Sequence, residues 1–98
     1  MQLKLTVLAS LAMVASFASA QDAVVQIGHV APLSGSYAAY GKDSENGVRM
    51  AIEDLNAMNV VIGGKKIKFE ILAEDDAGDP KQGTATAQKM CDSKVAGV

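Results

Sequence analysis

Cysteine, histidine and aromatic side chains are scarce in this sequence, which has one Cys, one His, two Tyr, two Phe and no Trp in 98 residues. With Cys91 alone, no disulfide framework can form within the chain. With His29 the only histidine, a nucleophilic or metal set would have to be assembled from that residue, Ser34 and scattered acids, which make a poor one. Basic clustering is also lacking, because Lys65, Lys66 and Lys68 straddle a turn and a strand pattern, and this argues against nucleic acid as a partner. Internal repeats and low-complexity segments are absent beyond the first twenty residues.

Those twenty residues have a basic start at Lys4, an uncharged apolar stretch from Leu5 to Phe17, and Ala18-Ser19-Ala20 ahead of polar Gln21-Asp22. A core of roughly a dozen apolar residues before a small-x-small site is an export signature, whereas a spanning helix needs about 20. Residues 1 to 20 are therefore expected to be a signal peptide cleaved after Ala20. No cysteine follows the apolar stretch to carry a lipid, so the mature chain is expected to be soluble in the periplasm. Its formal charge is one unit more negative than the −2 of the whole chain, since Lys4 leaves with the signal. In an oxidising compartment an unpaired Cys91 implies a partner elsewhere, unless it is buried and behaves as a small apolar residue.

VVQIGHV, residues 24 to 30, is β-branched and almost continuously apolar, as a strand buried on both faces would be. Pro32 ends it, and residues 31 to 42 read as a loop. Asp43-Ser44-Glu45 then reads as a helix start, with acids where the helix dipole favours them. Val48, Ala51, Ile52, Leu55 and Met58 form an apolar stripe opposite Arg49, Glu53 and Asn56, and the helix is expected to end at Asn59. Met50 and Met58 are expected at the core or its margin.

Gly63-Gly64 is a turn, and Ile67, Phe69, Ile71 and Ala73 alternate with Lys66, Lys68 and Glu70, which suits an edge strand. Asp79-Pro80-Lys81-Gln82 supplies an N-cap, a proline at the first helical position and a capping-box glutamine. This second helix is expected to run to about Ser93, with Gly83, Ala87, Met90 and Cys91 on one stripe. Val95 to Val98 begins a third strand. The order β-α-β-α-β predicts an α/β fold with a parallel, doubly wound sheet. Since about 78 residues bury too little surface for such a sheet, residues 21 to 98 are expected to be the N-terminal part of a larger domain.

The loop APLSGSYAAYGKD invites several readings. It is not a phosphate-binding P-loop, because Gly35 and Gly41 have five residues between them and Lys42 is followed by Asp43. It is not a nucleophile elbow either, since Pro32 stands two residues before Ser34. Glu74, Asp75, Asp76 and Asp79 lack the spacing of a calcium loop and read as an acidic turn in which Asp79 caps the helix. His29 reads as a satisfied core or ladder residue. In parallel sheets ligands sit outside the carboxyl ends of the strands, so the loop with Tyr37 and Tyr40 is either one wall of a site or packs on its own domain.

VVQIGHVAPLSGSYAAYGKDSENGVRMAIEDLNA, the Gly-Gly turn, KIKFEILAEDDAGDPKQGTATAQKM and KVAGV together resemble the start of the periplasmic branched-chain amino acid binding proteins. The resemblance covers the whole mature chain, with "PLSG…YG…NG" and "EDDAGDP" its most specific pieces. It implies a type I periplasmic-binding fold, of which this is the first β-α-β-α-β part of the N-terminal lobe. It also implies a soluble, monomeric receptor that hands an aliphatic amino acid to an inner-membrane ABC permease, with no catalysis, metal or cofactor. Tyr40 corresponds to the family's cleft-lining tyrosine, Ser34 and Gly35 match the loop's turn, and the contacts to the ligand's carboxylate and amino groups fall after Val98. A disulfide from Cys91 to a residue outside this segment is implied as well. The same fold also binds amides, urea and aromatic acids and serves sensory receptors, and a non-functional truncated fragment is a further alternative.

Overall fold

A computed structural model describes residues 22–98. The expected export signal and cleavage site lie outside the described residues. The elements are β1 (Ala23–Ala31), α1 (Ala38–Ala57), β2 (Val61–Ile62), β3 (Lys65–Asp75) and α2 (Pro80–Asp92). The fold is α/β, as the alternation of patterns predicts.

β1 and β3 run parallel, paired from Ala23 opposite Ile67 to Ala31 opposite Asp75. Their carboxyl ends therefore lie side by side, and the loops after both leave the same edge of the sheet. The Gly63-Gly64 turn, with both glycines at positive φ (59° and 76°), folds β2 back antiparallel onto Lys65 and Lys66, so the small sheet is mixed rather than purely parallel. The expected third strand is represented by one parallel bridge between Ile27 and Gly97, with Ala96 N–H donating to the Gln26 carbonyl at 2.8 Å and Gly28 N–H to that of Gly97 at 2.7 Å. β1 thus has a neighbour on each edge, but it is not buried on both faces as its apolar run predicts: Val24 is 56% exposed, and only Gly28 and Ala31 of the strand are buried.

Beyond Lys66 the far edge of β3 has no strand partner among the described residues, in keeping with its alternating pattern. Asn56 stands in for one: its Nδ2 donates to the Phe69 carbonyl at 2.9 Å and its Oδ1 accepts from the Phe69 N–H at 2.8 Å. A side-chain amide carries the same donor and acceptor as a peptide, so it satisfies an edge residue that would otherwise face outward unpaired. Asn56 does not belong to the solvated face assigned to it from spacing.

Met90 of α2 lies against β1 at Gly28, where a Cβ would stand 2.7 Å from its sulfur. Met90 is 1% exposed and, with Ala31, Ile52 and Ile67, forms the buried apolar core of the described residues. Val48 and Leu55 are half-buried, while Met50 and Met58 are 66% and 70% exposed, not core as their helical spacing predicts. His29 also departs from expectation. Its Nε2 is buried with no hydrogen-bond partner, so it is not the satisfied histidine the sequence suggests.

Asp79 caps α2 as predicted, its carboxylate accepting from Lys81 N–H at 3.0 Å, with Pro80 at the first helical position. The capping box is not completed, because Gln82 Nε2 donates instead to the Asp75 carbonyl at 3.1 Å. Cys91 is exposed and free, so it is not the buried, small apolar residue that is the alternative to a partner elsewhere.

Candidate ligand-side loops

α1 begins at Ala38, five residues before the Asp43-Ser44-Glu45 start, so the loop after β1 is only Pro32 to Tyr37. The reason is Gly41. It is buried in the first turn so close to Pro32 that a Cβ on it would meet the Pro32 carbonyl oxygen at 1.7 Å. The helix can start early only because that position has no side chain. Tyr37 holds the N-cap position without a side-chain cap bond, and Tyr40 sits in the first turn.

Glu45 is consequently not at the helix start, where the dipole would favour it. It is buried on α1, and Arg49, one turn on, donates to it at 2.7 Å, with Lys42 at 4.0 Å. The Arg49 hydrogen bond holds its carboxyl below the usual carboxylate range against the opposing effect of burial.

The predicted loop residues gather on the carboxyl side of β1. Tyr37 and Tyr40 are 60% and 74% exposed, with ring centroids 6.4 Å apart and planes tilted by 45°. Two exposed, tilted rings offer an apolar wall with hydroxyls at its rim. Gly35 bends the loop at φ 79°, in the left-handed region that glycine enters without strain, and a Cβ there would stand 3.9 Å from the Ala77 carbonyl oxygen. Ser34 is exposed, but its hydroxyl donates to Asp75 Oδ2.

That bond is one of four on a single carboxylate. Asp75 Oδ1 accepts from the N–H groups of Leu33 at 2.7 Å, Ala77 at 2.8 Å and Ser34 at 3.2 Å. Asp75 was visible in the sequence only as part of an acidic turn, and its partners in the other loop lie 41 and 42 residues away. The Ser34 hydroxyl first, and then the N–H groups, hold its carboxyl at about 2. All four donors favour the ionised form. Since this value is lowered, the staple is complete above the ordinary carboxylate value of 3.8 and is lost as pH falls through about 2. The amide resonances of Leu33, Ser34 and Ala77 should accordingly titrate together with a midpoint near 2, and a midpoint near 4 would contradict the staple.

No group of three or more potential metal ligands is found among the described residues, and Oδ1 of Asp75 is engaged by three N–H groups. The other acids also have local tasks: Asp76 Oδ1 accepts from Gly78 N–H at 2.7 Å, and Glu74 pairs with Lys89 at 2.8 Å.

A family model described as periplasmic binding protein matches residues 24–98. The Leu/Ile/Val-binding protein BraC3 of Rhizobium johnstonii is 41% identical over 85 residues, which are 87% of this chain and 21% of that protein. Leu/Ile/Val-binding protein homolog 3 of Brucella melitensis is 40% identical over 91 residues, 92% of this chain and 24% of that protein. The leucine-specific-binding protein of Salmonella typhimurium is 33% identical over 90 residues, again 92% of this chain and 24% of that protein. The chain thus spans roughly a fifth to a quarter of the length of these relatives.

Proposed function

Since the chain belongs to the periplasmic binding protein family, we propose that it forms one wall of a cleft that captures a branched-chain or similar aliphatic amino acid. In this reading the protein is exported by residues 1 to 20, works in the periplasm as a monomer, and passes its ligand to an inner-membrane ABC permease without chemical change. The observation that carries it is Tyr40, 74% exposed beside Tyr37 where the parallel strands end. The names of the relatives, which specify leucine, isoleucine and valine, point to the same ligand class. Burying a Leu or Val side chain contributes about 1.5 to 3 kcal/mol, enough for an apolar wall to decide which amino acids are retained. Ser34 and Gly35 shape the turn beside that wall, and Ser34 keeps lone pairs with which it can accept from a ligand while its hydroxyl donates to Asp75. Exposed Cys91 is available for a disulfide with a residue outside this segment.

In the intact protein, Tyr40→Ala should weaken L-leucine binding about tenfold in a calorimetric titration, equivalent to about 1.4 kcal/mol. Unchanged affinity would remove Tyr40 from the site. Titration with an amide, urea and an aromatic acid alongside leucine, isoleucine and valine would reveal a different ligand class by its preference.

A further inference from the structure

Loops from two neighbouring parallel strands meet at this edge of the sheet, and one carboxylate joins them. Asp75, the last residue of β3, accepts from Leu33, Ser34 N–H and the Ser34 hydroxyl across the gap, and from Ala77 in its own turn. An ionised carboxylate has about four acceptor positions. Three of the bonds fall on Oδ1 and one on Oδ2, so Oδ1 is fully engaged by the protein and the carboxylate is committed to joining the two loops. A second contact spans the same gap: a Cβ on Gly78 would stand 3.4 Å from the Tyr37 ring, which packs against this turn. Just beyond the stapled residues lie Gly35, Tyr37 and Tyr40.

We propose that Asp75 is the positioning residue of the ligand-side wall: through Leu33 and Ser34 it fixes the loop that sets Tyr40 in place, so affinity depends on it although it touches no ligand. The proposal rests on Tyr40 meeting the ligand, as argued above. Its physical basis is preorganisation. A loop already ordered before the ligand arrives does not have to lose its conformational freedom on binding. Four bonds to one charged group, most of them between residues distant in sequence, order the loop more effectively than its own short-range contacts.

The test uses the intact protein with Asp75→Ala, Asp75→Asn and Ser34→Ala, and reads both amide hydrogen exchange and L-leucine affinity. In Asp75→Ala, exchange at Leu33, Ser34 and Ala77 should rise by about tenfold or more while the amides of β1 and β3 keep their protection. Leucine affinity should fall about tenfold in parallel. Asp75→Asn retains an acceptor oxygen and should restore part of both effects, and Ser34→Ala, which removes one bond, should show the smallest change. If Asp75→Ala does not fold, this graded order in the other two variants decides the matter.

Wild-type affinity despite faster exchange at the three amides would overturn the proposal, leaving Asp75 as a loop staple with no role in binding. Exchange rising throughout β1 and β3 in step with the loss of affinity would also overturn it, because Asp75 would then act on global stability. Should the unsubstituted protein bind no aliphatic amino acid, the Tyr40 reading fails and the positioning role falls with it, and selective loss of protection at the three amides would then mark Asp75 as a loop staple only.

Discussion

Replacing Gly41 by alanine is expected to be among the most damaging single changes in the described segment, destabilising it by about 3 kcal/mol, the upper part of the usual range for overpacking. The new Cβ would lie 1.7 Å from the Pro32 carbonyl oxygen and 2.5 Å from its carbon. Both are backbone atoms and cannot rotate away, so either α1 or the loop must move as a unit. Alanine is the better helix former by about 1 kcal/mol, but that gain is too small to compensate. The same helix supplies a control. A Cβ on Gly47 meets nothing within 4 Å, so Gly47→Ala should stabilise by about 0.5 to 1 kcal/mol. Thermal denaturation of the intact protein would show the two changes with opposite sign. Two equal shifts would mean that the close approach of Gly41 to Pro32 is wrong. Because the first turn carries Tyr40, Gly41→Ala should weaken leucine binding as well.

Met90→Ala is expected to cost about 2 to 5 kcal/mol, the range for deleting a buried methionine side chain. Met90 is the one large side chain less than 2% exposed among the described residues, and it seals α2 against β1. The position opposite is Gly28, where an added Cβ would meet the Met90 sulfur at 2.7 Å, the Val98 Cγ2 at 3.1 Å and the Gly97 carbonyl at 3.3 Å. The two positions share one volume. Gly28→Ala should therefore be less harmful in a Met90→Ala background than alone, a coupling that denaturation of the single and double variants would measure. Strict additivity would show that α2 does not pack there.

Much of this arrangement was legible from local pattern. β1 follows from its apolar run, β3 from its alternation, and α2 from Asp79-Pro80, since each depends on neighbours within a few residues. The start of α1 was not legible. Asp43-Ser44-Glu45 has the chemistry of a helix start, whereas the true first turn contains Gly41, a poor helix former kept there by the backbone of Pro32. No nearby residue signals that contact. Asn56 was missed for the same reason, its role being set by an edge of β3 thirteen residues away. Asp75 was read as one acid of a turn, because nothing in EDDAGD singles out the acid that faces the loop after β1. One clue was available: once β1 and β3 are taken as parallel neighbours, an acid at the end of one strand comes opposite a serine- and glycine-containing loop rich in unpaired N–H groups. Of the candidate site, Tyr40, Ser34 and Gly35 were proposed from the resemblance, and the residue that staples their loop was not foreseen.

The central claim, that the Tyr40 side of this segment meets an aliphatic amino acid, is tested most directly by isotope-filtered NMR of the intact protein with bound L-leucine. Intermolecular NOEs between the Tyr40 ring protons and the leucine methyl groups are the predicted result. Leucine bound with no NOE to Tyr40, or no binding of leucine at all, would contradict it.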